Sequence, residues 1–244
     1  LICQWRSIKV FPEGAPSGTV LVTDRQTAGR GSRGRSWLAS PEASLTFSLL
    51  WRFPGGIEGL SGLSLAVGVA VVQALEACGA SGVQLKWPND ILLEGRKLVG
   101  ILTEMSAEFG HINYLVVGIG INVCVPQSMV PEALRESAVS IDDVAEKPTD
   151  RVALLAKVLD HLETCYETVL KEGFGPILDE WRRYSCTLGQ EVKVIAPDMT
   201  YFGTAEDIDE EGLLIVRRED GSKEKVVAGD VSIRPAKAKG NEYA

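Results

Sequence analysis

Residues 18–53, GTVLVTDRQTAGRGSRGRSWLASPEASLTFSLLWRF, contain the stretch that decides the fold class. The β-branched run at 18–24 predicts a buried strand that leads directly into residues 29–34, GRGSRG. That hexapeptide satisfies the glycine pattern of a dinucleotide-binding turn, which requires a helix to begin within the motif. Here Pro41 and a second strand at 44–53 follow instead. The pattern therefore argues against a Rossmann fold.

The segment at 44–53 is predicted to be a strand with one buried face, because apolar residues alternate along it. The apolar side carries Leu45, Phe47, Leu49 and Trp51, and the other side carries Thr46, Ser48, Leu50 and Arg52. Periodicity and turn residues predict the elements that follow. They are a helix over 60–78 that ends at Gly79, a strand at 83–87, a hairpin over 91–104 that turns at Glu94-Gly95, a strand at 112–123, a loop over 126–150, and helices at 150–171 and 174–184.

From residue 187 onward the sequence changes to short apolar runs separated by Gly and Asp turns. The runs EVKVIA, TYFGTAEDI, GLLIVRR, KEKVVA and VSIRP predict five strands of a small all-β barrel. The domain boundary is expected near Ser185. We therefore predict an α+β chain with a mixed sheet and helices over 1–185, a barrel over 186–236 and a tail over 237–244.

The overall charge of the 244-residue chain limits its partners. With 25 Lys and Arg against 33 Asp and Glu, its net charge of −8 argues against a general nucleic-acid binder and against attachment to an anionic membrane. The five cysteines are scattered and never spaced as CxxC, so neither a disulfide framework nor a zinc site is expected. Reduced thiols are therefore expected, which predicts a cytoplasmic protein. The sequence shows no membrane-spanning stretch, and nothing at its start resembles a signal peptide. The oligomeric state, a homodimer included, stays open.

Residues 25–35 concentrate positive charge in this acidic chain. They contain no carboxylate, and their cations are Arg25, Arg30, Arg33 and Arg35. One interpretation is a solvated basic loop. The other is a loop that closes over a bound anion, because guanidinium groups match phosphate oxygens and glycines let the backbone fold over a ligand. The nearby Trp37 favours the second interpretation, a phosphate-closing loop.

Three further segments place polar side chains beside apolar strands. In KWPND, Lys86 and Asp90 stand where a strand meets a turn, a pattern that local turn chemistry also explains. In GRKLVG, Lys97 is either directed into a pocket or an edge gatekeeper, and Gly100 either lets a ligand approach the backbone or marks a bulge. In GIGIN, Asn122 either ends the strand in a turn or recognises a base or ribose.

In this order and spacing, the segments AGRGSRGRSW, KWPNDILL, GRKLVGILTE and VVGIGINV resemble the biotin protein ligases, also named biotin–[acetyl-CoA-carboxylase] ligases. The resemblance covers about residues 12–235. It implies a class II synthetase-like catalytic domain of mixed β-sheet and helices, followed by an SH3-like barrel. It also implies two steps, in which biotin and ATP give biotinyl-5′-adenylate and pyrophosphate before the biotinyl group passes to a lysine of a biotin carboxyl carrier domain. No bound prosthetic group is expected.

The resemblance also implies roles for matching residues. Gln26, Arg30, Gly31 and Ser32 would line the loop that holds biotin and phosphate, and Arg33 and Arg35 would close over the phosphates. Trp37 would pack on the adenine side, Asn122 would contact the adenine, Lys97 would contact both biotin and the α-phosphate, and Gly100 would contact biotin. Lys86 and Asp90 would lie beside the phosphates and a Mg²⁺ ion, with Asp90 as the metal ligand.

This chemistry needs cations and no enzyme nucleophile. When a carboxylate attacks an α-phosphate, negative charge gathers on the phosphoryl oxygens, and Arg, Lys and Mg²⁺ stabilise it. The two histidines, His111 and His161, lie outside every motif and are expected to be ordinary surface residues. For the second step we hypothesise that Asp90 accepts a proton from the carrier lysine.

The chain departs from the family pattern at two places. Ser32 stands where family members usually carry Arg, which predicts weaker retention of the adenylate unless Arg33 compensates. Residues 1–11 do not match the family's Ser-Thr-Asn element, which lines the biotin ureido site. No helix-turn-helix segment precedes the catalytic part, so DNA binding is not expected. Two other functions stay open, a lipoate or octanoate ligase or transferase of the same fold and a non-catalytic protein that docks carrier domains.

Overall fold

The computed structural model describes residues 2–3, 11, 14–52, 60–108, 111–196, 199–228 and 232–235. The segment compared with the Ser-Thr-Asn element lies almost wholly outside these ranges, as does the tail over 237–244. The strands of the N-terminal part are β1 (Ile2–Cys3), β2 (Val20–Thr23), β3 (Arg25–Gln26), β4 (Ser44–Trp51), β5 (Val83–Lys86), β6 (Asp90–Leu93), β7 (Arg96–Glu108) and β8 (His111–Asn122). The helices are α1 (Leu60–Ala77), α2 (Arg151–Glu172) and α3 (Gly175–Tyr184). The C-terminal strands are β9 (Glu191–Ile195), β10 (Thr200–Ile208), β11 (Leu214–Arg217), β12 (Lys223–Val226) and β13 (Ser232–Pro235).

A six-stranded sheet with the order β2-β4-β8-β7-β6-β5 forms the centre of the N-terminal part. Its strands pair antiparallel, whereas the short β1 and β3 pair parallel in a separate ladder. The turn predicted at Glu94-Gly95 is confirmed, and both residues have positive φ, 52° and 75°. A two-residue turn with positive φ at both positions matches the twist of the strands that it joins. The predicted α+β class is also confirmed.

The three helices cover one face of this sheet. The predicted helix over 60–78 is confirmed as α1, which ends at Ala77 before Gly79 takes a φ of +92°. Helix α1 is apolar on nearly every side, because α2 and α3 pack on the side that the sheet leaves free. Asp150 caps α2 by accepting hydrogen bonds from the backbone N–H groups of Val152 and Ala153. Within the described ranges no helix combines the length and apolar character that crossing a membrane requires.

Strand β4 corrects one expectation from the sequence. It was predicted to have one buried face, yet all eight of its residues, Ser44 to Trp51, are buried. The strand lies between β2 and β8, so neither edge is free. On its second face, Leu50 packs in a small cluster with Phe11, Ala15 and Val116. The alternating pattern of β4 therefore indicates which face is more polar, but it does not indicate that this face is exposed to solvent.

The five predicted C-terminal strands are confirmed and pair in the order β12-β11-β10-β9-β13. Their inner side chains, such as Val192 and Ala205, belong to the same apolar cluster as the helices and the large sheet. The chain crosses between the two parts beside β5, where Leu85 forms an isolated parallel bridge with Ser185. The boundary near Ser185 stays a prediction, because that residue pairs with the sheet that precedes it.

Candidate active site

The glycine–arginine segment folds into a hairpin beside the large sheet. The N–H of Gly31 donates to the carbonyl of Arg35 at 2.7 Å, and the N–H of Trp37 donates to the carbonyl of Gly29 at 3.0 Å. A 3₁₀ turn over Ser32–Gly34 forms its tip. The loop that the sequence predicted to close over an anion is therefore a hairpin with a defined backbone.

The indole of Trp37 packs on the sheet face that the helices do not cover. A Cβ atom built on Gly120 would lie 2.5 Å from the ring, and one on Gly100 would lie 2.9 Å from it. Only glycine leaves room for the indole at these two positions. Trp37 was expected on the adenine side, and in the structure it lies against β7 and β8 beside Lys97, whose Nζ is 5.6 Å from the ring centroid. The sequence interpretation missed Gly120, although GIGIN carries a second glycine that could have indicated it.

Lys97 and Asp90 form an ion pair on this face, with Nζ 2.7 Å from Oδ1. The pair depends on a register shift, because Ile91 opposes Val99 whereas the next residue of β6, Leu92, opposes Lys97. The extra residue between Val99 and Lys97 brings the Lys97 side chain to the side of Gly100. Strand β7 lies between β6 and β8, so the alternative of an edge gatekeeper is wrong.

Gly100 itself is not the bulge. It pairs regularly with Gly120 on one side and with Asp90 on the other. The alternative that Gly100 marks a bulge is therefore wrong, and the irregularity lies two residues earlier along β7, at Leu98. What Gly100 provides is backbone that a neighbouring ring can approach closely.

Asn122 is the last residue of β8, and its side chain bonds the backbone of the segment at Val139. Its Nδ2 donates to the carbonyl of Val139 at 3.2 Å and lies 3.5 Å from the carbonyl of Lys97. The backbone of Lys97 also donates to the carbonyl of Ser137 at 2.7 Å and accepts from the N–H of Val139 at 3.1 Å. Asn122 therefore holds a segment of the predicted loop against Lys97, and its contact with adenine stays a prediction.

Two arginines of this segment have polar partners in the structure, one from a distant strand and one within the hairpin. Arg30 Nη1 lies 3.1 Å from Oε1 of Glu104, which comes from β7. Arg35 bonds within the hairpin, donating from Nη2 to Oγ of Ser32 at 2.8 Å and from Nε to its carbonyl at 3.2 Å. The side chain of Arg33 lies outside the described part of the chain. Ser32 therefore holds a neighbouring guanidinium at the hairpin tip.

Three buried polar atoms near this face have no hydrogen-bond partner among the described residues: Gln26 Oε1, Trp37 Nε1 and Ser48 Oγ. Ser48 opposes Gly118 on β8 just as Thr46 opposes Gly120, so its side chain projects to the face on which Trp37 lies. A buried polar atom without a partner costs free energy unless another molecule satisfies it. Ser48 is a candidate site residue that the sequence interpretation missed, although its place on the polar side of β4 could have indicated it.

The KWPND turn joins β5 to β6 and places two of its charges in register. Lys86 opposes Asp90 across the ladder, and the Trp87–Pro88 peptide between them is cis. Asn89 fastens the turn to β7, since its Nδ2 donates to the carbonyl of Ile101 at 2.6 Å. Burial raises the pKa of the neighbouring Cys186 thiol, and the positive charge of Lys86 partly opposes that rise. The turn thus carries Lys86 and Asp90 to the same end of the sheet as Lys97.

The described residues contain no group of three or more His, Cys, Asp or Glu side chains that could hold a metal ion. A Mg²⁺ ion bound mainly by phosphate oxygens needs only one or two carboxylates, so Asp90 stays a candidate ligand. His161 is half-buried on α2, where its Nδ1 lies 2.8 Å from the carbonyl of Lys157. The side chain of His111 lies outside the described residues.

Comparisons with known proteins identify the family of this chain. The model of the biotin/lipoate A/B protein ligase family matches residues 5–122, and the model of the biotin protein ligase C-terminal domain matches residues 187–234. The bifunctional ligase/repressor BirA of Bacillus spizizenii is 36% identical over 219 residues, which cover 90% of this chain and 67% of that protein.

Two further relatives are similar over most of their length. The biotin–[acetyl-CoA-carboxylase] ligase of Mycobacterium tuberculosis is 35% identical over 221 residues, covering 88% of this chain and 78% of that protein. The Aquifex aeolicus biotin protein ligase, solved in complex with biotin and ATP, has a TM-score of 0.80 and 33% identity, with 91% of each chain covered. The chain therefore belongs to the biotin/lipoate A/B protein ligase family, and within it to the biotin protein ligases.

Proposed function

We propose that this chain forms biotinyl-5′-adenylate from biotin and ATP and transfers the biotinyl group to a lysine of a biotin carboxyl carrier domain of a carboxylase. The observation that carries the proposal is the ammonium of Lys97 beside a sheet face of glycine backbone under Trp37. The relatives support biotin over lipoate, because they are named biotin ligases and one was solved with biotin and ATP. A dimer and the absence of DNA binding stay predictions from the sequence.

The chemistry of biotin fits the polarity of this face. Biotin has a ureido head with hydrogen-bond donors and an acceptor, an aliphatic chain, and a terminal carboxylate. The unpartnered Gln26 Oε1 and Ser48 Oγ would bond the ureido head. The aliphatic part would lie along the glycine backbone beside Trp37, and the carboxylate would reach Lys97.

The first step joins two anions, and the cations of the site reduce their repulsion. An oxygen of the biotin carboxylate attacks the α-phosphorus of ATP, and the bond from that phosphorus to the bridging oxygen breaks to release pyrophosphate. Lys97 would neutralise charge on both reacting groups. Arg30, Arg33, Arg35 and Lys86 would bind the remaining phosphoryl oxygens. Mg²⁺ would enter with ATP, with Asp90 as its protein ligand.

The second step transfers an acyl group. The amine of the carrier lysine attacks the carbonyl carbon of the adenylate, the bond to the phosphate oxygen breaks, and AMP leaves. The amine loses a proton as the new amide forms, and Asp90 would accept it. The ion pair between Asp90 and Lys97 supports this role, because it holds the carboxylate beside the ammonium that is proposed to act on the phosphate.

The experiment that tests the function is ATP–pyrophosphate exchange on the purified chain, with biotin and with lipoate as separate substrates. We expect exchange that depends on biotin and is absent with lipoate. Transfer of labelled biotin to a purified carrier domain would then test the second step. A chain that catalyses no exchange with biotin would contradict the proposal, and exchange with lipoate alone would favour the other branch of the family.

A further inference from the structure

Trp87, in the centre of KWPND, is held by the part of the chain that follows α3. Its side chain is 1% exposed, and its Nε1–H donates to the carbonyl of Gly212 at 3.2 Å. Its backbone N–H donates to Oγ1 of the buried Thr187 at 2.9 Å. The side chain and the main chain of one residue of the turn are therefore both bonded to the C-terminal part.

The residues on either side of Trp87 are the ones proposed to handle phosphate. Lys86 precedes it directly, and Asp90 follows three positions later in register with Lys86. Asn89 bonds the same turn to the main chain of Ile101 on β7. The turn thus has one attachment to the catalytic sheet and another to the C-terminal domain, and the position of Lys86 and Asp90 depends on both.

The segment that accepts the bond from Trp87 is a rigid turn between β10 and β11. Oδ1 of Asp209 accepts from the N–H groups of Glu211 and Leu213, and the Asp209 carbonyl accepts from the N–H of Gly212. The ammonium of Lys225 forms an ion pair with the other carboxylate oxygen of Asp209, at 2.7 Å. We name residues 209–213 the β10–β11 turn. Its internal bonds fix the direction of the Gly212 carbonyl.

The β10–β11 turn also fits closely against α1. Gly212 has a φ of +81°, and a Cβ atom there would lie 3.0 Å from the backbone of Gly62 and from Cδ1 of Leu65. Nearby, Arg182 of α3 bonds Oδ1 of Asp207 and the carbonyl of Ile208, both at 2.8 Å. The turn is therefore confined between Trp87 and α1 and cannot shift without moving one of them.

We propose that the β10–β11 turn is a positioning element for the KWPND turn, which it holds through Trp87 so that Lys86 and Asp90 face Lys97. This inference rests on the proposed function. It assigns to the C-terminal domain a role in the use of ATP that acts through Trp87. The face proposed for biotin is built on β4, β7 and β8, none of which the β10–β11 turn touches through these bonds.

The chain offers a matched pair of glycine variants as a test. Gly212→Ala adds a methyl group against α1, whereas Gly221→Ala adds one in the β11–β12 turn, where φ is +84° and nothing lies within 4 Å. Both variants carry a similar backbone strain from the positive φ, so only the contact differs. Trp87→Phe keeps an aromatic ring and removes the donor to Gly212. The measurements are ATP–pyrophosphate exchange kinetics, biotin affinity by calorimetry, and the melting temperature.

For Gly212→Ala we expect kcat/KM for ATP to fall about tenfold, because the added methyl group displaces the β10–β11 turn and breaks the hydrogen bond from Trp87. The biotin Kd should not change. Trp87→Phe should shift the same constant in the same direction. Gly221→Ala should lower the melting temperature less than Gly212→Ala does, because it adds no close contact, and should keep the kinetics of the natural chain.

The inference is overturned if Gly212→Ala uses ATP as the natural chain does, or if its biotin Kd rises in step with the KM for ATP, since that would indicate general loosening. Should Gly212→Ala not fold, Trp87→Phe decides by the same two measurements. A natural chain without biotin-dependent exchange would instead contradict the proposed function itself, and the two failures are therefore distinguishable.

Discussion

The ammonium of Lys97 lies 2.7 Å from the carboxylate of Asp90, although the two residues belong to different strands and Lys97 is three residues from Gly100, which opposes Asp90. An undisturbed strand would send side chains three residues apart to opposite faces. The bulge at Leu98 removes that alternation and brings Lys97 to the face of Gly100. The ion pair is thus a consequence of one extra residue in β7.

Lys97→Met should lower the rate of biotinyl-adenylate formation at least about a hundredfold, because it removes a cation from the place where two anions react. The methionine keeps most of the aliphatic length and removes only the ammonium, which lies 5.6 Å from the centroid of the Trp37 ring. Single-turnover pyrophosphate release measures the effect. Lys171→Met, an exposed change on α2, is the control and should leave the rate unchanged. Equal rates for the two variants would show that Lys97 does not act on the phosphate.

Asp90→Asn separates the two half-reactions. If Asp90 accepts the proton of the carrier lysine, transfer from preformed adenylate should slow about a hundredfold, and the loss should shrink as pH rises and the free amine becomes more abundant. Rapid mixing of carrier with enzyme-bound adenylate at several pH values measures this step alone. A variant that forms adenylate slowly but transfers it at the natural rate would leave Asp90 with a role in phosphate or metal binding only.

Gly120→Ala tests the close approach of Trp37 to the sheet. The added methyl group would lie 2.5 Å from the indole, so the ring must leave β8 or the strand must move. We expect biotin affinity to fall at least about tenfold, since precise placement of the binding face is lost. Calorimetry with biotin measures it. Gly175→Ala, where nothing lies within 4 Å of the added atom, should bind biotin as the natural chain does.

Local patterns predicted the elements of this site better than their assembly. The turn at Glu94-Gly95 followed from residues that are adjacent in sequence, and turn chemistry is a local property. The bulge at Leu98 left no local signal, because neither Leu98 nor its neighbours Lys97 and Val99 is a glycine or a proline. Glu104 pairs with Arg30 across more than seventy residues, and sequence spacing says nothing about such a contact. The charged partners in this site could therefore be assigned only from the register of the sheet.

The burial of the second face of β4 could likewise not be predicted from the local sequence. Alternation correctly separated Ser48 from its apolar neighbours but could not show that Ser48 is buried. Burial on that side depends on segments from elsewhere, such as Phe11 and Ala15 near Leu50. A polar side of a strand usually faces water, whereas here the same pattern belongs to a buried face.

Ser48→Ala should have opposite effects on stability and on binding. The Ser48 hydroxyl is buried without a partner, so its removal should leave the free energy of unfolding unchanged or raise it by up to about 1 kcal/mol. If the hydroxyl bonds the ureido head, biotin affinity should nevertheless fall about fivefold to tenfold. Chemical denaturation and calorimetry measure the two quantities.

Thr46→Val is the matched control for that change, because it removes a hydroxyl from the same side of the same strand. Thr46 Oγ1 already donates to the carbonyl of Thr23 at 3.2 Å, so its loss should lower stability by about 1 kcal/mol. A Ser48→Ala variant that is less stable, and binds biotin as tightly as before, would contradict the assignment of Ser48 to the ureido head.

The last prediction concerns Ser32, where the family usually carries arginine. In this structure the hydroxyl accepts a hydrogen bond from Arg35 at 2.8 Å, so a guanidinium is already held at the hairpin tip. Ser32→Arg adds a second guanidinium there and should slow release of the adenylate about tenfold, as one charge-assisted hydrogen bond to phosphate allows. Ser32→Ala removes the hydroxyl that accepts from Nη2 of Arg35, leaves the bond from Nε to the backbone carbonyl, and should speed release.

Ser36→Arg is the control for added charge, because it places a guanidinium on the same hairpin at an exposed position away from the tip. It should change the release rate little, since an exposed charge is screened by solvent and salt. Release is measured by trapping labelled adenylate with excess unlabelled ligand, and labelling of bystander lysines should follow it across the variants. If Ser32→Arg releases adenylate as fast as the natural chain, then Arg35 held by Ser32 already does what the family's arginine does.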